Sequence, residues 1–260
     1  MKSLTRLIEW RNCESVPPCP LPVARGRNRK DAALTVTSTN DNGPGSLPQA
    51  IADASASDTI DFDLSLPAVI TLNSDRLLID KDLLIVGPGA NLITIQTDQI
   101  SVFFGEVLDV SSGSVVTISG VTFTEGLRAG VVNYGTLTLT ACAVGNSDFD
   151  FDDRAGGIYN GGTLNLLDTT VTENRGATDC PGIVSVGTLS MTNCTISVNT
   201  ADSLLRTIGF GTPSELGGRL FAYGGSVVIT NCTVTGNQAA RIRAGTAFIS
   251  SERQRKSGAR

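Results

Sequence analysis

The stretches GTLNLLDTTVTEN at 162–174 and GTLSMTNCTISVN at 187–199 repeat one residue pattern, and this pattern decides the fold. Three further segments align with them: SVVTISGVTFTEG at 114–126, GTLTLTACAVGN at 135–146 and GSVVITNCTVTGN at 225–237. Residues that fit a core recur at offsets two, four, seven and nine in each segment, and Thr, Ser and Asn fill positions between them. The pattern predicts two short alternating strands separated by a one-residue phase slip, where the chain bends from one sheet to the next.

A glycine-led motif precedes four of these segments and predicts a third strand in each repeat. The motif occurs as AGVVNYG at 129–135, GGIYNGG at 156–162, PGIVSVG at 181–187 and GRLFAYGG at 218–225. The segments start 21, 27, 25 and 38 residues apart, so loops of unequal length must absorb the difference. Three short strands in a repeat of variable length predict an all-β fold, the single-stranded parallel β-helix.

Cysteines recur at one inward position of the repeat. Cys142, Cys194 and Cys232 all stand at offset seven, and Thr169 takes that place between the first two. Two coils of a β-helix lie about 9.6 Å apart, which is too far for a disulfide between Cys142 and Cys194. Cys194 and Cys232 are closer, but parallel inward side chains favour a column of small core residues over a disulfide.

Asparagine ends four of the segments, at Asn146, Asn174, Asn199 and Asn237. Because asparagine tolerates left-handed turns and hydrogen-bonds to its neighbours, we expect these residues to stack up the coils. The NCT triplets at 193–195 and 231–233 match the pattern for N-glycosylation. We assign both asparagines of these triplets to strands and therefore interpret the match as accidental.

The pattern divides the chain into four parts. Residues 34–60 contain a turn-rich lead and one short amphipathic helix that starts at Ser46, which together predict an N-terminal cap. Residues 61–237 form the predicted β-helix. Residues 1–33 are basic and rich in Pro and Arg, and residues 238–260 are basic without strand alternation, so both ends are predicted to be disordered.

Composition excludes several classes of function. The chain has 260 residues and no histidine, so Ser-His-Asp or Cys-His catalysis and His-ligated metals are excluded. Residues 31–240 hold 7 basic and 22 acidic side chains, a net charge of −15, which argues against nucleic-acid binding by the folded part. No apolar run is long enough to span a membrane as a helix, and the N-terminus is a poor signal peptide.

One predicted edge of the coils gathers charged residues. The candidate calcium ligands, which follow or flank the end of the segment at 135–146, are Asp148, Asp150, Asp152, Asp153 and Asp179. The candidate catalytic bases or carboxylate-binding residues are Arg128, Arg154 and Arg175. Oxygen ligands of this kind suit Ca²⁺, and arginine binds carboxylates in bidentate fashion. We weigh this site against a simpler interpretation, in which the aspartates form a solvated acidic turn. Lys81, Tyr134 and Tyr159 are interpreted as a solvated charge and two packing residues.

Residues 34–237 resemble bacterial right-handed parallel β-helix repeat proteins of the pectin-lyase-like superfamily. The resemblance rests on TVTSTNDNGPGSLPQAIADA, DTIDFD, LLIVGPG, GGIYNGGTLNL and TNCTVTGN. This group includes autotransporter passengers and polymorphic outer-membrane proteins. The polymorphic outer-membrane proteins carry GGA[I/V/L] and FxxN motifs, which this chain approximates at 156–158, 171–174, 196–199 and 234–237. Members usually have Arg where Pro48 stands, a secretion signal, and more coils or an anchor. The resemblance implies an adhesive rod that is secreted or attached to the cell surface or outer membrane.

Three functional hypotheses follow. The first is a non-enzymatic, stalk-like or adhesin-like module that binds extracellular polysaccharide or a surface protein. The second is a calcium-dependent polysaccharide lyase of the pectate type, with calcium as its cofactor and the acidic edge as its site. The third is a truncated, non-functional fragment of a larger surface protein, suggested by both odd termini. Fold alone does not choose among them.

Overall fold

A computed structural model describes residues 33–98, 105–148, 156–176, 181–201, 220–222, 225–237 and 247–250. These residues form one short helix, α1 (Leu47–Asp53), and strands that are arranged in three parallel sheets and one small two-stranded sheet. The predicted disordered segment 1–33, apart from Ala33, lies outside the described residues, as does most of 238–260.

The three large sheets are named A, B and C in the order in which each coil visits them. Sheet A contains β1 (Ala33–Val36), β2 (Asp58–Phe62), β5 (Leu83–Val86), β8 (Val115–Ser119), β11 (Thr136–Thr140), β14 (Thr163–Leu167), β18 (Thr188–Thr192), β22 (Val227–Thr230) and β24 (Ala247–Ser250). Sheet B contains β3 (Ala68–Leu72), β6 (Ile93–Thr97), β9 (Thr122–Thr124), β12 (Ala143–Gly145), β15 (Thr170–Thr172), β19 (Thr195–Ser197) and β23 (Thr233–Thr235). Sheet C contains β4 (Leu77–Ile79), β7 (Glu106–Val110), β10 (Ala129–Asn133), β13 (Ile158–Asn160), β17 (Ile183–Ser185) and β21 (Leu220–Ala222). The small sheet pairs β16 (Arg175–Gly176) with β20 (Thr200–Ala201).

Successive coils stack in strict register, which confirms the predicted parallel β-helix. Leu137 pairs with Leu164, and Leu164 pairs in turn with Leu189. In sheet B, Val144 lies between Phe123 and Val171 in the same manner. Each pair therefore joins residues that occupy the same offset of neighbouring repeats, and the apolar side chains form continuous columns through the core.

Burial follows the predicted offsets. The side chains at offsets two, four, seven and nine of the segments at 135–146, 162–174 and 187–199 are all buried. The segment at 225–237 differs, because Ile229 and Cys232 are only partly buried and Val234 is 40% exposed. Since β23 is the terminal strand of sheet B, no further strand of that sheet covers Val234 among the described residues.

The turn from sheet A to sheet B has two residues in the coils after β8, and its first residue creates the phase slip. Ala141, Asp168, Asn193 and Asn231 occupy this place with φ between 50° and 55°. A left-handed residue reverses the inward and outward sides of the chain, so the offset changes from an even to an odd number. The phase slip inferred from the sequence therefore corresponds to one residue in the left-handed region at each of these turns from sheet A to sheet B.

The turn from sheet C to sheet A requires glycine because neighbouring coils touch there. A Cβ atom on Gly187 would lie 1.9 Å from the carbonyl oxygen of Gly162. A Cβ atom on Gly162 would lie 2.1 Å from the carbonyl oxygen of Gly135. Only the absence of a side chain lets the two backbones approach this closely. The glycines that begin the aligned segments thus mark the contact between coils.

The connection from sheet B to sheet C carries nearly all of the length variation. It spans four residues, 125–128, between β9 and β10, and 22 residues, 198–219, between β19 and β21. Residues 99–104, 149–155, 177–180 and 202–219, which the structure does not describe, all fall within connections of this type. Additional sequence therefore enters the coils at this corner, which we call the variable corner.

Helix α1 is capped at both ends by side chains. Ser46 is its N-cap, and the Ser46 hydroxyl accepts a hydrogen bond of 3.3 Å from the amide of Gln49. Leu47 and Ile51 are buried in the same apolar core as the strands. At the other end, Lys81 Nζ donates to the carbonyl oxygens of Ile51 and Ala54 at 3.1 and 3.2 Å. The interpretation of Lys81 as a solvated charge was therefore wrong, because its ammonium group binds the C-terminal carbonyls of the helix.

The strand order extends beyond the predicted end of the β-helix. We placed that end at residue 237, but β24 pairs in parallel with β22, from Ala247 opposite Val227 to Ser250 opposite Thr230. The free edge of a terminal strand presents unpaired N–H and C=O groups, and any extended segment can satisfy them. This pairing needs no side-chain alternation, which is the signal that the prediction used.

Candidate functional site

The predicted charged edge coincides with the variable corner. Arg128, Asp148 and Arg175 lie in three successive connections from sheet B to sheet C. The amide of Asp148 donates to the carbonyl of Gly126 at 2.8 Å, and the amide of Arg175 donates to the carbonyl of Ser147 at 2.8 Å. The backbone thus stacks these three connections. The other candidates, Asp150, Asp152, Asp153, Arg154 and Asp179, lie outside the described residues.

The described part of this corner shows no metal centre. Across all residues that the structure describes, no three Cys, Asp or Glu side chains come together as a group of possible metal ligands. Asp148 is the single candidate calcium ligand within the described ranges. The three connections also contain Glu125 and Glu173, so their described residues hold three carboxylates and two guanidinium groups along the stack.

The outer faces of sheets A and B carry no charge over most of their length. The outward side chains of sheet A from β8 to β22 are Val115, Thr117, Ser119, Thr136, Thr138, Thr140, Thr163, Asn165, Leu167, Thr188, Ser190, Thr192, Val228 and Thr230. The outward positions of sheet B from β6 to β23 are Thr94, Gln96, Thr122, Thr124, Ala143, Gly145, Thr170, Thr172, Thr195, Ser197, Thr233 and Thr235. Residues 31–240 carry a net charge of −15, so this charge is placed away from the two faces, which we call the neutral faces.

Hydroxyl groups on the neutral faces are held in columns by the stacking. Thr172 Oγ1 and Ser197 Oγ, one coil apart, share a hydrogen bond of 3.0 Å. Asn165 Nδ2 lies 3.4 Å from Thr138 Oγ1 on the neighbouring coil. Adjacent strands of a sheet lie about 4.8 Å apart, so successive polar groups of a column follow at that interval wherever no apolar residue or glycine interrupts the column. The two faces are therefore regular arrays of hydroxyl, amide and methyl groups.

The outer side of sheet C differs from the neutral faces because it carries charge and aromatic rings. Arg76 Nε lies 3.2 Å from an oxygen of Asp109 and 3.6 Å from an oxygen of Glu106. Farther along the sheet, the rings of Tyr134 and Tyr159 contact each other with their centroids 5.9 Å apart. These tyrosines pack against each other as predicted, and the Arg76 cluster is an ion-paired group that the sequence did not reveal.

A groove of about 270 Å³ separates α1 from β4, and it is lined by Pro48, Ile51, Arg76, Leu78 and Lys81, among others. Both cations of the groove already have partners. Lys81 binds the C-terminal carbonyls of α1, and Arg76 pairs with acidic side chains of sheet C. The groove therefore offers no unpaired cation to an anionic ligand.

Asparagines form a buried column at the end of sheet B. Asn174 Nδ2 donates to Asn199 Oδ1 at 2.9 Å, and Asn199 Nδ2 donates to Asn237 Oδ1 at 2.9 Å. Each side chain also accepts a backbone N–H from the preceding coil, at 3.0 Å for Asn174 to Asn199. This confirms the predicted stacking of three of the four asparagines.

Asn146 was placed wrongly in that column. It has φ 49° and shares its position with Glu173 (φ 58°) at the turn. Ser147 takes the buried place instead, since its amide donates to Asn174 Oδ1 at 3.1 Å. The reason is spacing, because Asn146 follows Gly135 by eleven residues whereas Asn174 follows Gly162 by twelve.

A second buried polar column went unnoticed in the sequence. Asn133 Nδ2 donates to Asn160 Oδ1 at 2.8 Å, and Asn160 Nδ2 donates to Ser185 Oγ at 2.9 Å. All three side chains are fully buried. Their recurrence two residues before Gly135, Gly162 and Gly187 was the available signal. Both columns satisfy backbone groups inside the core and thus have a structural role.

The asparagines of both NCT triplets lie in turns. Asn193 and Asn231 are exposed residues of the left-handed corner between sheets A and B. Asn231 Nδ2 donates to Asn193 Oδ1 at 2.8 Å, and Asn193 Nδ2 donates to Asp168 Oδ1 at 3.1 Å. Their assignment to strands was therefore wrong, because one left-handed residue separates the two strands at this corner.

The cysteine column is as predicted. Cys142, Cys194 and Cys232 are free thiols, and the amide of Cys142 donates to Thr169 Oγ1 at 3.4 Å. Burial is the main cause that raises the pKa of the Cys142 thiol, and burial also raises the pKa of Cys194 to about 11. Both thiols are therefore protonated at neutral pH, which makes them slow nucleophiles at that pH.

Comparison with known proteins gives no family for this chain. No protein-family model matches it, and no curated protein is significantly similar to it. In the described part of the chain, no helix has the length and apolar character needed to cross a bilayer.

Proposed function

We propose that this chain is a non-enzymatic β-helix module of a secreted or cell-surface protein, which binds glycans or partner proteins through its neutral faces. The observation that carries the proposal is the absence of charge on both faces, although residues 31–240 carry a net charge of −15. A face that lacks charge does not repel a neutral polymer or pay the cost of desolvating ions. The resemblance of residues 34–237 to adhesive β-helix repeat proteins supports the same function.

The in-register stacking of the coils supports binding to a long, repetitive partner. Each column offers a hydroxyl or amide group at most coils, as from Thr138 through Asn165 to Ser190. A single surface hydrogen bond contributes little net free energy, but many bonds on a preorganised surface add up. An extended glycan chain presents hydroxyl groups along its length and thus suits such an array.

The test compares charge insertions on and off the neutral faces in the full chain. Thr138→Lys with Ser190→Lys modifies sheet A, and Thr124→Lys with Thr172→Lys modifies sheet B. Leu78→Lys is the matched control, since Leu78 is a strand residue 46% exposed on sheet C. Binding to panels of neutral glycans and extracellular matrix proteins is measured by biolayer interferometry, with circular dichroism to verify folding.

We expect at least one face variant to lose about tenfold or more in affinity, roughly 1.4 kcal/mol, while Leu78→Lys keeps its binding. Equal affinity in all four proteins would contradict the use of the neutral faces. An equal loss in all variants would show a general effect of added positive charge, which also contradicts the proposal.

A calcium-dependent polysaccharide lyase is the second candidate, because Arg128, Asp148 and Arg175 occupy successive connections at the variable corner. Its test is incubation of the full chain with uronate polymers, with and without calcium, while ultraviolet absorbance monitors an unsaturated product. A binding module gives no product. Calcium-dependent product that disappears when Asp148, Asp150, Asp152 and Asp153 are replaced by Asn would establish the lyase instead.

A further inference from the structure

Cys194 and Cys232 occupy neighbouring places in the cysteine column. The flanking pairs Thr192 with Thr230 and Thr195 with Thr233 are in register, and the amide of Thr233 donates to the carbonyl of Cys194 at 2.8 Å. Neighbouring strands lie about 4.8 Å apart, which falls within the Cα separation of about 4.4–6.8 Å that disulfides span. The backbone therefore already holds the two residues at a distance that a disulfide can bridge.

The sulfur of Cys232 lies toward Cys194. The amide of Cys194 donates to Cys232 Sγ at 3.3 Å, and each thiol donates to the carbonyl two residues before it, at 3.2 Å in both cases. Both thiols thus make the same hydrogen bond within their own coil, and the two side chains stand one above the other. Joining the sulfurs requires both thiols to leave these carbonyl hydrogen bonds.

Cys142 has no such neighbour. Thr169 lies between Cys142 and Cys194 in the column, and its hydroxyl contacts the amide of Cys142. Two coil spacings separate Cys142 from Cys194, about 9.6 Å, beyond the reach of a disulfide. The column therefore contains one pair that can close and one thiol that cannot, which serves as an internal control.

We propose that Cys194 and Cys232 are a redox-active pair, which a small disulfide such as oxidised glutathione converts into a disulfide joining the coils of β19 and β23. In the first step, the Cys232 thiolate attacks one sulfur of oxidised glutathione, the S–S bond breaks, and one glutathione thiolate leaves. In the second step, the Cys194 thiolate attacks Cys232 Sγ and displaces the second glutathione thiolate. Two protein thiols are oxidised and one oxidised glutathione is reduced, and the two protons that the protein thiols release are taken up through solvent by the two glutathione thiolates.

Exposure sets the order of the two steps. Cys194 is 1% exposed and Cys232 is partly exposed in the terminal strand of sheet B, so Cys232 meets the oxidant first. Burial raises the pKa of Cys194 to about 11, which keeps this thiol protonated and slows the second step at neutral pH. The mixed disulfide with glutathione is thus an observable intermediate.

The test uses the full chain carrying Cys13→Ser, Cys19→Ser and Cys180→Ser, so that the thiols of the column remain. The reduced protein is incubated with oxidised glutathione at mildly alkaline pH and analysed by intact and tryptic mass spectrometry. We expect loss of two hydrogen atoms, and a linkage between the tryptic peptides 176–206 and 220–241 that reductant cleaves. Cys142 remains a free thiol, and the oxidised protein unfolds at a higher temperature than the reduced one.

A second variant separates the two steps. Cys194→Ala is expected to stop at the glutathione adduct on Cys232, with the mass of one glutathionyl group retained. The proposal is overturned if the folded parent protein also stops at that adduct, or if neither thiol reacts before the protein unfolds. A linkage that involves Cys142 would contradict it as well, because the column forbids that pair.

Discussion

At the residue scale, single buried asparagines supply the hydrogen bonds that polar groups need where the chain of a β-helix bends. The side chain of Asn199 accepts from the amide and the side chain of Asn174, and it donates to Asn237 Oδ1 and to the carbonyl of Val171. One amide group thus satisfies polar groups of the coils on both sides of its own. The exposed ladder of Asn193 and Asn231 has similar bonds but lies in water, where a lost bond is replaced by solvent.

We predict that Asn199→Ala lowers the free energy of unfolding by about 3 kcal/mol, because several buried polar groups lose their partner and each costs about 1–3 kcal/mol. Asn193→Gly is the matched control, since glycine keeps the left-handed conformation at φ 55° and removes an exposed amide. Its effect should stay below about 1 kcal/mol. Urea unfolding checks both values, and equal losses in the two variants would refute the role assigned to burial.

The buried thiol of Cys194 predicts a loss of stability at alkaline pH. Its pKa rises from 9.0 to about 11 on folding, so the unfolded chain releases the proton first as the pH increases. The stabilising contribution is complete below pH 9 and is lost as the pH rises from about 9 to about 11, at up to about 1.4 kcal/mol for each pH unit in that window. Relative to Cys194→Ala, the wild type should therefore lose more stability between pH 8.5 and 11. A constant difference between the two unfolding curves would rule out this coupling.

At the scale of elements, α1 is secured to the coils by a lysine that is distant in sequence. Lys81 Nζ binds carbonyls of Ile51, Ala52 and Ala54, which have no partner within the helix. A helix of seven residues gains little stability from its own hydrogen bonds, so such contacts and the burial of its apolar face hold it in place. No local pattern near residue 81 predicts this role, because the carbonyls that Lys81 binds lie 27–30 residues earlier in the sequence.

We expect Lys81→Met, which keeps the aliphatic stem but removes the donors, to destabilise the region around α1 by about 1 kcal/mol. Hydrogen exchange should become faster at the amide of Ala54, which donates to Ala50 at the end of the helix. Asp80→Asn is the control, since this carboxylate is 66% exposed and lies 3.9 Å from the ammonium group. If the two variants exchange at the same rate, Lys81 does not hold the helix.

At the scale of the whole molecule, the sequence alone predicted the coils, because the same pattern of buried positions recurs in several repeats. The core offsets and the phase slip recur in five aligned segments, and cysteine stands at offset seven in three of them. Predictions were wrong where a residue occurs outside the repeat and its partners are distant in sequence, as for Lys81. They were also wrong where a difference of one residue in spacing decided which side chain is buried, as for Asn146. The candidate charged edge was located from the same register, but most of its residues lie outside the described part of the chain.

The three corners differ in how they tolerate added sequence. We predict that five Gly/Ser residues inserted between Leu127 and Arg128, at the variable corner, cost less than about 1 kcal/mol, since loop entropy grows slowly with length. The same insertion after Ala141 should abolish cooperative unfolding, because it interrupts the two-residue turn before β12. Thermal unfolding followed by circular dichroism distinguishes the two proteins. Equal behaviour would show that the corners are interchangeable.

The direction of the backbone hydrogen bonds has a mechanical consequence. In sheets A, B and C these bonds join one coil to the next, so they lie along the direction in which the coils stack. A force pulling along that direction opens the bonds of one coil at a time instead of shearing many together. The 25 residues from Thr163 to its partner Thr188 would release about 80 Å of chain at about 3.3 Å per residue. A tether of this kind would lengthen in steps under load, and each step would absorb work before the next coil gives way.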